Sequence, residues 1–204
     1  FARANAQALE KFAAIHRLVD SIAPTRAGLA RTAADAYSLH AQGKKVILIG
    51  IENGFSIGSD ITNVAKFHAL GGRYMSLAHN GHSQLSDSNT GERDGVWLHN
   101  GLSPLGRQVI AEMNRVGMMI DISHPSKTSM MQTLALTRAP IIASHSGVRA
   151  ICNHSRNLDD EQLRGLAKNG GVVQLVAFNS YVKCSAEATA RDAARREAIA
   201  DLRK

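Results

Sequence analysis

Aromatic side chains are scarce, at 4% of the 204 residues. The core therefore rests on Ala, Leu, Ile, Val and Met rather than on stacked rings. No apolar run approaches the ~20 residues that cross a bilayer, so no membrane span is expected. Cysteine occurs only as Cys152 and Cys184, with no C-x-x-C, so spacing points to neither a zinc knuckle nor a dithiol redox motif. No G-x-G-x-x-G follows a strand, which argues against a dinucleotide-binding sheet. Residue 1 is Phe and no signal peptide is visible, so the N-terminus is expected to be processed, trimmed or outside this sequence. The net charge of +7 does not gather into a stripe. The densest basic run, ARDAARREAIADLRK at the C-terminus, mixes in acids and reads as a solvated helix, so no nucleic-acid partner is expected.

Hydrophobic residues make up 44% of the chain, enough for one globular domain over residues 1–204. Helical spacing of Ala8, Phe12, Ile15 and Val19 predicts a first helix over residues 4–20. Thr25 is expected to cap a second helix running to about His40. Short apolar runs then alternate with helical segments. Val46–Ile49 exits at Glu52, RYMSLAHN exits at His79, and MMIDIS exits at His124. PIIAS exits at His145, and VVQLVAF exits near Asn179 and Tyr181. Pro104 after Ser103 marks the start of a helix, as does Asp159 after Leu158. Short strands without polar alternation indicate a parallel sheet covered by helices, either doubly wound or a (β/α)8 barrel. In a barrel, functional residues gather at the carboxyl ends of several strands. Glu52, His79, His124 and His145 all fall at such ends, which favours the barrel. Five strands do not close one, so a partial barrel lacking its first and last strands is expected.

Each of these residues also has a bland reading. A lone histidine after a strand is more often a loop residue than a ligand. Glu52 could cap a turn, and Asp121 in DISH could be a buried hydrogen-bonding group. Three histidines and one glutamate at equivalent positions weaken that reading. Imidazole nitrogen and carboxylate oxygen are the ligands that hydrolytic zinc takes, and a carboxylate can bridge two metals. His16, His40, His68, His82, His99 and His154 do not sit at strand exits and read as surface or supporting residues.

The stretches GIENG, LGGRYMSLAHN, SDS, GLSPLGRQVIAEMNRVGMMIDISH, APIIASHSGVRAICNHSRNLDDEQL and NGGVVQLVAFNSYVKCS resemble the membrane dipeptidase family, from about Val46 to Ser185. The resemblance implies a (β/α)8 barrel with two zinc ions. It implies hydrolysis of dipeptides with a free C-terminal carboxylate through a metal-bridging water. Glu52 matches the glutamate that bridges the metals, and His124 and His145 match ligands of the second metal. His79 matches the histidine that contacts substrate and helps polarise the scissile carbonyl. Arg156 matches the arginine that holds the substrate carboxylate, and Tyr181 falls in the substrate-pocket segment. Relatives often dimerise, which leaves a homodimer open. The family's first-strand H-x-D pair is absent from this sequence, and its late aspartate would lie beyond residue 204. The chain is therefore expected to be an internal portion of a longer protein, poorly folded and inactive alone. Another amide or lactone hydrolase on the same barrel, or a non-catalytic relative, stays open as an alternative. Cys152 and Cys184 follow neighbouring strands, so their rim loops could meet. The resemblance implies a disulfide between them, and with it a periplasmic or secreted location.

Overall fold

The computed structural model describes residues 1–184, 190, 194 and 201. The C-terminal helical run expected beyond residue 185 lies largely outside the described residues. Helix α1, Ala2–Arg17, loosens into a wider turn at Leu18–Ile22. The second helix starts later than Thr25. Strand β1, Ala27–Leu29, intervenes, and helix α2 spans Ala33–Ala41. The start is set by a reciprocal cap. Thr32 Oγ1 accepts from the Asp35 N–H, while the Asp35 carboxylate accepts from the Thr32 and Arg31 N–H groups, both at 2.8 Å. Thr25 has no equivalent acid three residues on.

The run KKVILIGI divides at Leu48. Strand β2, Lys45–Ile47, pairs with β1, whereas β3, Ile49–Ile51, pairs with β4, Gly72–Ser76. Between β3 and β4 lies helix α3, Thr62–Ala69. After β4 come a long loop with a single helical turn α4, Gly91–Asp94, and helix α5, Pro104–Val116. Ser103 caps α5 by accepting from the Gly106 N–H, and Pro104 occupies its first position. Strand β5, Met119–Asp121, helix α6, Lys127–Leu136, and strand β6, Ile142–Val148, follow. The two-residue strand β7, Asn157–Leu158, leads into helix α7, Asp160–Asn169, then β8, Val172–Leu175, and a last turn α8, Asn179–Val182.

Among the described residues the named strands all pair in parallel. The row runs β3-β4-β5-β6, with β8 beside β6 and β7 extending the pairing at the end of β6. Four of the expected strands appear as β4, β5, β6 and β8, whereas the expected Val46–Ile49 strand is split between β2 and β3; β6 is longer than expected, and His145 lies inside it rather than beyond it. The sheet is curled. In a flat sheet the ends of β3 and β6 would stand roughly 14 Å apart, three strand spacings of about 4.8 Å. Yet Glu52, just after β3, comes within 3.2 Å of His145 in β6. This half-barrel is filled by Ile51, Met75, Leu77, Ile120, Ile122, Ile141 and Ala143 and backed by Val64, Phe67, Val109, Ile110 and Met113 of the helices. No helix among the described residues is long and apolar enough to cross a membrane.

Candidate metal centre

Glu52 leaves β3 into a sharp turn. Asn53 takes a positive φ of 91°, rare for a residue with a side chain, and two bonds hold it there. Its N–H donates to Ser76 Oγ at 2.8 Å, and its Oδ1 accepts from the Phe55 N–H at 3.0 Å. The turn aims the Glu52 carboxylate across the mouth of the sheet. Oε1 lies 3.1 Å from His124 Nε2, 3.2 Å from His145 Nε2 and 3.5 Å from His79 Nε2. The Nε2 atoms of His124 and His145 are 2.9 Å apart. The structure thus brings together Glu52, His79, His124 and His145, the four residues singled out in the sequence.

The arrangement fits a cation. Two imidazole nitrogens at 2.9 Å cannot both present lone pairs without a positive centre or a proton between them, and a carboxylate oxygen faces the same point. Ligand-type atoms of Glu52, His79 and His124 all lie within 4.8 Å of one another. His124 is 4% exposed, and its Nδ1 has no hydrogen-bond partner. Burial, reinforced by the positive charge of Arg156 and then by His79 and His145, pushes its pKa down to about 2. Its ring is therefore neutral, the state that ligates metal.

His79 and His124 are held by a loop whose acid the sequence reading passed over. Asp87 is fully buried and accepts N–H bonds from Leu98 and Gly101, each at 2.9 Å, and from His99, with His82 Nδ1 at 3.1 Å from Oδ1. Burial drives this carboxyl upward, but the backbone bonds of Gly101, Leu98 and His99 outweigh it and hold the pKa below the ordinary value. Fixed in this way, the loop reaches both ligand-type residues. Ser88 Oγ donates to the His79 carbonyl at 2.6 Å, and the Asn89 N–H donates to the His124 carbonyl at 2.8 Å. The SDS stretch was thus legible as a motif, but its role was not.

Arg156 and Tyr181 lie beside the cluster. Arg156 is 3% exposed, and its Nη2 donates to the His145 carbonyl at 3.0 Å. Its Nε and Nη1 are buried with no acceptor. Burial lowers its pKa, opposed by Tyr181, Asp121 and Glu52, but a guanidinium stays charged. The Tyr181 ring stands 5.4 Å from the Arg156 Cζ and packs at a tilt against His154, with ring centroids 4.6 Å apart. These groups, with Asn89, Glu92 and Arg149, line a cavity of about 760 Å³.

Cys152 and Cys184 form a disulfide with a Cα–Cα distance of 5.1 Å. Asn157 reinforces it, since its Nδ2 donates to the carbonyls of both Cys152 and Tyr181, at 2.8 and 2.9 Å. Together they tie the Tyr181 segment to the loop that carries Arg156.

Parallel strands that present histidines and a carboxylate at one curled rim define a barrel protein with a candidate metal centre. Comparison with known proteins narrows the class. Residues 1–199 match the model of the Membrane dipeptidase (Peptidase family M19) family, and the chain belongs to that family. It is similar to Dipeptidase aclJ of Aspergillus oryzae, 37% identical over 172 residues, covering 83% of this chain and 40% of that protein. It is also similar to human Dipeptidase 3, 34% identical over 179 residues, covering 87% of this chain and 36% of that protein. The chain thus spans well under half the length of these curated relatives. Among solved structures it resembles the probable dipeptidase PvdM from Pseudomonas aeruginosa, with TM-score 0.79 and 30% identity over 88% of this chain and 45% of that one. It also resembles a metallo peptidase from Rhodobacter sphaeroides liganded with a phosphinate mimic of the dipeptide L-Ala-D-Ala. There the TM-score is 0.72 at 28% identity, over 80% of this chain and 47% of that one.

Proposed function

We propose that the protein is a metal-dependent dipeptidase that cleaves dipeptides with a free C-terminal carboxylate, using two zinc ions. The observation that carries this reading is Arg156, a buried guanidinium with two unpartnered N–H donors, bonded to the backbone of His145 at the edge of the histidine cluster. Buried cationic N–H donors without an acceptor are costly, so the site calls for an anionic ligand at Nε and Nη1. A dipeptide places its carboxylate one residue from the bond to be cut. The Rhodobacter sphaeroides relative, liganded with a dipeptide mimic, supports the same substrate class.

In this reading Glu52 would serve both ions, and His124 and His145 would hold the second. Bound zinc would polarise the peptide carbonyl and lower the pKa of attacking water. The chain's own residues supply orientation. Arg156 fixes the carboxylate, Tyr181 flanks it, and the partly exposed His79 donates a hydrogen bond to the scissile carbonyl. A charge clamp beside the cluster admits substrates of one length, since a longer peptide puts its carboxylate elsewhere. The disulfide favours an oxidising compartment, and hence a periplasmic or secreted protein.

The test uses the intact protein with zinc, assayed on L,L- and L,D-dipeptides, their C-terminal amides and tripeptides. Free dipeptides should be hydrolysed, amides and tripeptides poorly. Equal rates on dipeptide and amide would remove the carboxylate clamp, and no hydrolysis of any dipeptide would sink the reading.

A further inference from the structure

Beneath the histidine cluster lies a carboxylate that the roles above leave unused. Asp121 ends β5 and is 1% exposed. Four donors converge on it. Its Oδ1 receives the Ser123 N–H at 3.0 Å, the Ser123 hydroxyl at 2.6 Å and the Ser144 N–H at 3.1 Å. Its Oδ2 receives the Ser144 hydroxyl at 2.5 Å. Ser144 Oγ in turn stands 2.7 Å from Nδ1 of His145. Ser123 Oγ accepts the N–H of His145 at 3.0 Å, so the same carboxylate supports both the backbone and the ring of that histidine.

Counting protons fixes the direction of this chain. A serine hydroxyl has one proton to give. That of Ser123 goes to Asp121 Oδ1, and that of Ser144 goes to Asp121 Oδ2. The 3.2 Å contact between the two hydroxyls therefore has no strong donor. Ser144 can meet His145 only as an acceptor, so Nδ1 carries the ring proton. The lone pair is then on Nε2, the atom that faces Glu52 Oε1 and His124 Nε2. His124 differs, because its Nδ1 touches no partner that would choose a tautomer.

We propose that Asp121, acting through Ser144, is the positioning residue of His145: the carboxylate–serine–imidazole relay holds the ring as the Nδ1–H tautomer and presents Nε2 to a cation. The inference rests on the reading of His145 as a metal ligand. Metal-bound histidines commonly donate their second N–H to a carboxylate directly. Here a serine on the strand carries that bond across the gap between β5 and β6.

The relay has a polarity that an isosteric change should reverse. In Asp121→Asn the side-chain oxygen keeps the two backbone N–H bonds, and the new amide donates to Ser144. The Ser144 proton is then free to point at His145 Nδ1, which becomes an acceptor and forces the proton onto Nε2. The experiment records long-range ¹⁵N–¹H NMR spectra of the histidines in the metal-free intact protein at about pH 8, above the ordinary histidine pKa. Zinc affinity is measured in parallel by competition with a chromophoric chelator. Wild type should show Nδ1–H at His145, and Asp121→Asn should show Nε2–H with zinc affinity lower by about ten- to a hundredfold. Ser144→Ala, which removes the link and leaves Asp121 its other three donors, should give a mixed tautomer and a similar loss. Ser144→Thr, which keeps the hydroxyl, should behave as wild type. An unchanged Nδ1–H signal in both Asp121→Asn and Ser144→Ala overturns the relay. A wild type that binds no zinc while Asp121→Asn still reverses the tautomer supports the relay and overturns the metal reading instead.

Discussion

Replacing Arg156 with lysine keeps the charge and removes the fork. In the structure Arg156 already gives Nη2 to the His145 carbonyl and holds Nε and Nη1 free beside it. A lysine amine is a single point. It can serve the carbonyl or a substrate carboxylate well, but not both from one planar group. The loss is about one charge-assisted hydrogen bond to the ligand, roughly 1.5–3 kcal/mol. Such a carboxylate contact is made equally in the ground state and the transition state, so the loss should fall on KM. KM for a free dipeptide should rise about ten- to a hundredfold, with kcat changed by less than about threefold. Initial rates on a dipeptide and on its C-terminal amide make the assay. The variant should lose most of the wild-type preference for the free acid, while its circular dichroism stays unchanged. An unchanged KM, or an unchanged acid-to-amide ratio, would refute the argument that Arg156 grips the carboxylate.

Four further outcomes are expected. His124→Ala and His145→Ala should each remove the second metal and most activity, measured by metal analysis of the purified variants; two metals retained by either variant count against the ligand assignment. Cys152→Ser removes a 32-residue cross-link and should lower unfolding free energy in denaturant titrations by about 3–4 kcal/mol on loop-closure grounds; a loss under 1 kcal/mol would show that Asn157 holds the loops alone. Gly147→Ala would place a Cβ 2.4 Å from Asn157 Oδ1 and should destabilise by about 1–3 kcal/mol; a neutral effect would mean that the Asn157 clip has slack. The fourth outcome concerns acid. His124 has a folded pKa far below its unfolded one, so below about pH 6.5 the unfolded chain takes up a proton that the folded chain refuses. Stability is intact above the unfolded pKa and falls as pH drops toward the folded value, by up to ~1.4 kcal/mol per pH unit from this one group. In the metal-free protein, His124→Gln should flatten the decline in urea stability between about pH 6 and pH 5; an identical slope would show that His124 is not the group refusing the proton.

The site was legible because Glu52, His79 and His124 each follow a short apolar strand closely and His145 follows the apolar start of β6, and the curl of the sheet turns these similar positions into a cluster. The start of α2 was misplaced because a threonine alone marks a cap weakly. The deciding signal was the Thr32–Asp35 pair, visible in the sequence as T-x-x-D. The division of KKVILIGI at Leu48 left no such trace, since both halves are equally apolar and only their different partners separate them. Strand β7 is two residues long and exists because β6 extends past His145 to receive it. Asp87 looked like one more loop acid in a polar stretch. Its burial depends on three N–H groups that lie 11 to 14 residues away, a closure that no local pattern encodes. The Cys152–Cys184 pair was read from family resemblance and from neighbouring strand ends, and the structure forms it.

A metal ion among Glu52, His124 and His145 is what the proposed chemistry requires. An anomalous difference map at the zinc edge, from crystals of the intact protein grown with zinc, tests this directly. A peak about 2.0–2.2 Å from a Glu52 carboxylate oxygen and from Nε2 of His124 and His145 is the predicted result. Zinc bound elsewhere in the same crystals, with the three side chains still in mutual contact and no peak between them, would contradict it.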